Sequence, residues 1–427
     1  MLKSLTIHHR QLVQFFCYLL VCSLVFSLFL LSVSMISLAV LGVFRLEIIT
    51  GQVKLGWYEQ PWQKVKTIFQ HPSFAVFLLF FLVALLRFYP VGDATYLLER
   101  LRIKVPFVVL PLAFLLLPRF RLPDVQRLLY FMLLFFSLVS TGIVLNYINH
   151  YEPLTELIKK GHHIPTPGNH IRYSLLVAWT IMGGIYLLTE GYYYRYRGER
   201  WLIGGLIFFL FVFLHLLSVK SGLLVLYICL AGGIVQYGWQ RRAFLAGALG
   251  LGLLVCLPLI AYQTIPTFKN KVTYFLYDMF MYQQGQGAHY SDSGRLASLH
   301  AGWHIATDHR LWGVGTANIR DAVRHFFVAE YPNYPEVFMP QNQFLFTWAA
   351  TGIFGLLLTV FAFLFPIFYR QNYRHWLFLN FQLAIFAIIM IEHALENAVG
   401  IAHYLFFSLL FLSLLNGPEE QPRSSSS

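Results

Sequence analysis

The chain has 427 residues, of which 58% are hydrophobic and 12% are charged, and its formal net charge is +12. Soluble globular domains average about 45–50% apolar and about 25% charged residues. A soluble core has no room for 41 Phe and 25 Tyr, so the composition excludes a soluble enzyme, a disordered chain and a disulfide scaffold. The cysteines (Cys17, Cys22, Cys229 and Cys256) lie in apolar runs and supply neither a disulfide framework nor a Cys-based zinc site.

Long apolar runs separated by short charged loops predict transmembrane helices along most of the chain. The first run, 11–44, is too long for one span and predicts a hairpin of two. The other predicted spans are 72–89, 105–118, 126–146, 171–190, 201–217, 222–238, 243–262, 344–368, 376–391 and 398–416. The sequence therefore predicts an all-α, polytopic integral membrane protein of about twelve transmembrane helices, with a large helical outer loop between the ninth and tenth.

Lysine and arginine concentrate in alternate loops, and such loops are cytoplasmic under the positive-inside rule. The charges that set this orientation include Arg119, Arg121, Arg127, Arg195, Arg197, Arg200, Arg241, Arg242, Arg370 and Arg374. Both termini are therefore predicted to be cytoplasmic. Residues 94–104 fall on the outer side although they carry Arg100, Arg102 and Lys104, and their pattern predicts an interfacial amphipathic helix.

The predicted organisation has four parts. Residues 1–262 hold helices one to nine, with a short outer loop near 147–170. Residues 263–343 form the large outer loop. Residues 344–417 hold helices ten to twelve, and 418–427 form a cytoplasmic tail.

The large outer loop is predicted to contain two helices. Residues 291–293 offer N-caps for the first, and Thr316 offers one for the second. Arg295 falls in the first turn of the first helix, where the helix dipole does not favour a cation. Two interpretations stay open: Arg295 and the backbone N–H groups of this helix end bind an anion together, or Arg295 is a surface residue paired with Asp292.

Two further cations are predicted at the outer ends of helices. Arg172 either extends to lipid head groups or faces inward and binds phosphate through both guanidinium nitrogens. Lys220 lies in a tight turn and is either a membrane-boundary anchor or a ligand-binding residue. Gly222, two residues later, allows close helix approach.

Histidines and acidic residues at the predicted outer face are further candidates for a site. His300 and His304 are one helical turn apart, but no HExxH motif or carboxylate-rich set accompanies them, so no metal site is expected. Glu392, His393, Glu396 and Asn397 lie in the predicted outer turn between the last two spans. They are predicted to cap and solvate that turn, with a catalytic role as the alternative.

Three sequence pieces carry a family resemblance over roughly 291–355. They are Ser293–Leu296, the segment His309–Asn318 with Gly313 and Gly315, and Gln341-Asn342 followed after nine residues by Gly352 and Gly355. The last piece is similar to a His-Asn, nine residues, Gly-x-x-Gly signature. With the topology, these pieces resemble the superfamily of O-antigen ligases and O-antigen polymerases, which are GT-C-like bacterial membrane glycan transferases.

The resemblance implies a glycosyltransferase of the bacterial inner membrane with a periplasmic active site and no metal or other cofactor. The implied donor is an undecaprenyl-diphosphate-linked saccharide, surrounded by membrane lipids, and nucleic acid is not a partner. The acceptor is lipid A-core in a ligase, which the motif slightly favours, or a second lipid-linked glycan in a polymerase. The resemblance implies that Arg172, Lys220 and Arg295 match the residues that bind the donor diphosphate. It implies catalytic roles for Arg172, Arg295 and Gln341. The positions with a supporting role are Asn342, Gly313, Gly315, Gly352 and Gly355.

Gln341 departs from the family pattern, because ligases carry a histidine there that is thought to activate the acceptor hydroxyl. Glutamine has no titratable group and cannot act as a general base. Three explanations stay open. Another residue is the base, with Glu336, His325 and Glu396 as candidates; or Gln341 only orients the hydroxyl; or the position carries an inactivating substitution.

Two other classes compete with the transferase. A flippase for lipid-linked saccharides also needs many spans, but it favours charges along a path through the bilayer, and the predicted spans are nearly free of charge at mid-depth. A structural or receptor protein would use the large outer loop as a partner-binding platform. Formation of a new glycosidic bond on an acceptor distinguishes the transferase from both.

Overall fold

In a computed structural model, the described residues are 8–49, 52–57, 65–86, 92–192 and 194–417. The predicted tail, 418–427, and the end of the predicted span 72–89 lie outside them. Apolar runs become helices because a helix satisfies its backbone hydrogen bonds within one segment. The described α-helices are α1 His9–Phe26, α2 Leu28–Val43, α3 Pro72–Ala75, α4 Leu78–Leu85, α5 Ala94–Lys104, α6 Pro106–Leu116, α7 Leu122–Asn149, α8 Tyr151–Lys159, α9 His170–Thr189, α10 Glu199–Leu217, α11 Lys220–Arg241, α12 Phe244–Thr264, α13 Pro266–Gln283, α14 Ser291–Asp308, α15 Ile319–Glu330, α16 Gln343–Phe368, α17 Trp376–Ile391 and α18 Ala398–Asn416.

Eight of the described helices, α1, α7, α9, α10, α11, α12, α16 and α18, are long and apolar enough to cross a membrane. Shorter apolar helices occupy Leu28–Val43, Pro72–Leu85 and Trp376–Ile391. The first apolar run is two helices, because Ser27 interrupts it and its hydroxyl oxygen accepts a hydrogen bond from the Leu30 N–H (3.3 Å). These observations confirm an all-α polytopic membrane protein.

A short β-hairpin follows α2 and is absent from the predicted elements. Its strands, β1 Phe44–Ile49 and β2 Gln52–Trp57, are antiparallel, with Phe44 opposite Trp57 and Glu47 opposite Lys54. The alternation of apolar and polar residues on both sides of Gly51 is a hairpin signal, but it is too short to be a long apolar run.

Helices α9 and α18 lie at the centre of the bundle, and most of their residues are buried. Helix α9 packs against α7, α10 and α11. Its contact with α11 is close, because a Cβ on Gly222 would lie 2.5 Å from the Cβ of Ser174. The predicted role of Gly222 in helix approach is therefore confirmed.

Residues 94–104 are helical as predicted, but two of the cations of α5 are held inside the protein. The Lys104 ammonium lies 2.6 Å from the Glu396 carboxylate, and both side chains are almost fully buried. Arg100 donates a hydrogen bond to the Glu396 carbonyl oxygen (2.8 Å). Two of the three cations that depart from the predicted positive-inside pattern therefore bind the turn between α17 and α18, whereas Arg102 is exposed.

The predicted large outer loop contains α14 and α15 as expected, and also α13, which was not predicted. Helices α14 and α15 pack on the first half of α16 through a second apolar cluster that includes Ala297, Ile305, Val323 and Phe327. This packing places the loop helices against one end of the bundle, called the site end below because Arg172 and Arg295 lie there.

Candidate functional site

Arg172 is positioned by the cap of α9. The Asn169 side-chain oxygen accepts hydrogen bonds from the N–H groups of Ile171 (2.9 Å) and Arg172 (3.2 Å). Gly168, with φ of 63°, provides the left-handed turn that leads into this cap. Arg172 is partly buried and lines a cavity with residues of α17 and α18, so it faces the protein interior.

The predicted caps of α14 and α15 are wrong. Helix α14 begins at Ser291, so residues 291–293 lie inside it, and Asp278 from α13 caps it by accepting hydrogen bonds from the N–H groups of Asp292 (2.9 Å) and Ser293 (3.2 Å). The N–H groups that were expected to bind an anion are therefore occupied by a carboxylate of the protein. Thr316 does not cap α15, because its buried hydroxyl donates to the Ala84 carbonyl oxygen (3.1 Å).

Arg172 and Arg295 converge on Glu392, which lies between α17 and α18. The Arg295 Nη2 atom is 4.0 Å from Glu392 Oε1, and Glu392 lines the same cavity as Arg172. Burial raises the pKa of the Glu392 carboxyl, while the charges of Arg295 and Arg172 oppose this rise. The alternative pairing of Arg295 with Asp292 is not found, because Asp292 is bound to Lys220.

Lys220 belongs to the same end of the bundle. It is the first residue of α11, its ammonium forms an ion pair with the Asp292 carboxylate, and it lies 4.4 Å from the centre of the Phe275 ring. About half of its side chain remains exposed. Lys271 lies nearby, and burial together with the charge of Lys220 lowers the pKa of Lys271 to about 8.

Gln341 is joined through Ser298 to the backbone of α14 at Arg295. Its N–H donates to the Ser298 hydroxyl oxygen (3.3 Å), and that hydroxyl donates to the Arg295 carbonyl oxygen (2.7 Å). Asn342 caps α16 by accepting hydrogen bonds from the N–H groups of Phe344 and Leu345. These contacts bring two of the predicted motif pieces together.

The motif glycines join the loop helices to α16. Gly352 interrupts α16 with φ of 71° and ψ of −172°, which leaves helix carbonyl groups without helical partners. The N–H groups of Val314 and Gly315 donate to the Ala349 and Ala350 carbonyl oxygens (2.9 and 2.8 Å). Gly313 fits against this break, since a Cβ there would lie 2.5 Å from the Ala350 carbonyl group. The turn predicted for close backbone approach is therefore confirmed.

Gly355 and the remaining candidate residues occupy different places. A Cβ on Gly355 would lie 1.9 Å from the Thr351 hydroxyl, so the position is closed to larger residues. Glu336 and His325 are exposed. Glu396 is bound to Lys104 and accepts a hydrogen bond from Gln343 (3.0 Å), so its carboxylate is held inside the protein.

The histidines considered for a metal bind other groups. The His300 ring nitrogen is 2.8 Å from the Tyr331 hydroxyl, and the His304 ring lies 3.0 Å from the Asp308 carboxylate. His300 therefore links α14 to the segment after α15, and His304 pairs with a residue of its own helix.

Two residues of the site were missed or misassigned from sequence. Asp278 was not singled out, and no local pattern marks it, because its role depends on the packing of α13 against α14. Glu392 was expected to solvate its turn, yet only 22% of its side chain is exposed. The sequence signal for a buried Glu392 is its position directly after an apolar span. Asn397 does cap its helix, accepting a hydrogen bond from the Gly400 N–H (2.8 Å).

The fold and the site together define a polytopic membrane protein with a cationic site at one end of its helix bundle. Residues 205–360 match the family model described as O-Antigen ligase, and this match confirms the resemblance. The matched segment contains Lys220, Arg295, Gln341 and the motif glycines, whereas Arg172 and Glu392 lie outside it. A comparison with curated proteins finds no match. The family match supports a multi-pass membrane glycan transferase of the O-antigen ligase or polymerase type that uses lipid-linked glycans.

Proposed function

We propose that this protein transfers a saccharide from undecaprenyl diphosphate to lipid A-core at the periplasmic face of the bacterial inner membrane. The observation that carries the proposal is the convergence of Arg172 and Arg295 on one partly buried site. A guanidinium group binds phosphate oxygens through two parallel hydrogen bonds, so two such groups suit a diphosphate. Lys220, with its exposed ammonium, adds a third cation at this end of the bundle.

The proposed reaction is a metal-independent, inverting displacement at the anomeric carbon of the donor sugar. As the bond from this carbon to the diphosphate breaks, negative charge develops on the leaving oxygen. Arg172, Arg295 and Lys220 stabilise this charge, and their effect is large because the site is partly shielded from water. Glu392 balances the two arginines when no donor is bound.

The test uses the full-length protein in proteoliposomes with an undecaprenyl-diphosphate-linked saccharide and lipid A-core. Arg172→Ala and Arg295→Ala are each expected to lower kcat by about 10²–10³-fold, as is typical for loss of one group that stabilises developing charge. Arg324→Ala is the matched control, because Arg324 is exposed on α15 and its nearest acidic partner, Asp321, is 3.9 Å away. Full transfer by both Arg172→Ala and Arg295→Ala would refute the proposal.

The products also separate the alternatives. A single addition to lipid A-core identifies a ligase, and a ladder of repeat units on the lipid carrier identifies a polymerase. Movement of the donor across the bilayer with no new glycosidic bond identifies a flippase.

A further inference from the structure

We propose that Glu392 is the general base that accepts the proton of the acceptor hydroxyl. This assignment rests on the proposed function. In the step, the acceptor oxygen forms a bond to the anomeric carbon, the bond from that carbon to the diphosphate oxygen breaks, and the diphosphate leaves with the electron pair. The hydroxyl proton passes to the Glu392 carboxylate. Gln341 cannot take this proton, because an amide is not basic at neutral pH.

The residues on both sides of Gln341 contact residues close to Glu392 in the chain. The His393 imidazole interacts with the backbone of Pro340, directly before Gln341. The Asn342 amide nitrogen lies 3.9 Å from the sulfur of Met390, two residues before Glu392. The segment 340–342 and the end of α17 therefore lie side by side, which places Glu392 near the backbone of Gln341, the position at which the ligases carry histidine.

The Glu392 carboxylate is available for a proton, unlike the neighbouring carboxylates. Asp278 accepts hydrogen bonds from two backbone N–H groups, Asp292 is bound to Lys220, and Glu396 is bound to Lys104. Within the described part of the chain, the Glu392 side chain accepts no hydrogen bond, and its closest cation, Arg295, is 4.0 Å away. An oxygen atom of Glu392 is thus free to contact an acceptor hydroxyl.

The surroundings of Glu392 suit a general base that accepts a proton next to a negatively charged diphosphate donor. The cavity lined by Arg172 and Glu392 offers about 30 Å³ to water-sized solvent, which is too little for a sugar, so the saccharides approach from the exposed side. Burial brings the pKa of Glu392 closer to neutral pH, where a general base is most effective. The charged and titratable groups around Glu392 are Arg172 of α9, Arg295 of α14, His403 and Tyr404 of α18, and His393 and Glu396 of its own connection.

The experiment measures kcat, the KM for the donor and donor binding from pH 5 to pH 9 in proteoliposomes that hold the full-length protein. The donor is an undecaprenyl-diphosphate-linked saccharide and the acceptor is lipid A-core. Glu392→Gln keeps the size of the side chain and removes the base. We expect kcat to fall by about 10²–10⁴-fold, the usual contribution of a general base. Donor affinity should be unchanged or higher, because a negative charge beside the diphosphate is lost.

Two further variants separate catalysis from structure. Glu392→Asp keeps a carboxylate and should retain the decline of kcat at acidic pH at a lower maximal rate, whereas Glu392→Gln should lose that decline. Glu99→Gln is the control, because Glu99 is half exposed and paired with Arg100, and its kcat should equal that of the wild type.

Three results would overturn the assignment of Glu392. They are a kcat for Glu392→Gln within about threefold of the wild type, a retained acidic decline in that variant, or a loss confined to donor KM. Each of these leaves the proposed transferase intact, provided that the wild type forms the glycosidic bond. A wild type that neither binds the donor nor transfers its sugar would refute the proposed function itself.

Discussion

Gly352→Ala tests the backbone junction that assembles the site. With φ of 71° and ψ of −172°, Gly352 occupies a region that is essentially restricted to glycine, and another residue there costs about 1–3 kcal/mol. A Cβ would also lie 2.1 Å from the Leu311 carbonyl oxygen. Relief of this overlap separates the two segments and weakens hydrogen bonds such as that from Ile353 N–H to the Arg310 carbonyl (2.9 Å), each contributing about 1 kcal/mol. The expected loss of stability is about 3–5 kcal/mol.

The assay is the free energy of unfolding of the purified protein in micelles, obtained by titration with denaturant and followed by tryptophan fluorescence. Gly142→Ala is the matched control, because Gly142 lies in the membrane helix α7 and a Cβ there meets no atom within 4 Å. The control should be neutral or more stable by up to about 1 kcal/mol. Equal unfolding free energies for Gly352→Ala and Gly142→Ala would refute the reasoning.

Two further predictions concern buried charges. Lys104→Met leaves the Glu396 carboxylate buried without its ion-pair partner and should lower the free energy of unfolding by about 3–5 kcal/mol. In the same titration, the double variant Lys104→Met with Glu396→Gln should lose less stability than the sum of the two single variants. Additive losses would contradict the pairing. Burial lowers the pKa of Lys271 to about 8, so the folded state loses this proton before the unfolded state does, and stability should rise by about 1.4 kcal/mol from pH 7 to pH 9. Lys271→Gln should remove this rise, and an unchanged rise would contradict it.

Structural features that depend on residues close together in the sequence were predictable from the sequence. The spans followed from apolar runs, and the helix over 94–104 from the spacing of its leucines, because a helix in a membrane depends mainly on its own length and composition. The break at Ser27 and the cap at Asn397 are also local, since a capping side chain binds N–H groups within three residues. The family resemblance also indicated Arg172, Lys220 and Arg295 as the cations of the site.

Contacts between distant segments were decided only by the tertiary structure. Glu396 binds Lys104, and Glu392 lies beside Arg172 and Arg295, because helices far apart in the chain pack together. Asp278 caps α14 because the consecutive helices α13 and α14 pack against each other. A sequence shows that an acidic residue follows a span, but not whether that residue faces water or two arginines. The sequence by itself determined a multi-span membrane protein that resembles the superfamily of O-antigen ligases and polymerases. The packing of its helices decided which charged groups form the site, because long-range electrostatic partners are set by three-dimensional distance.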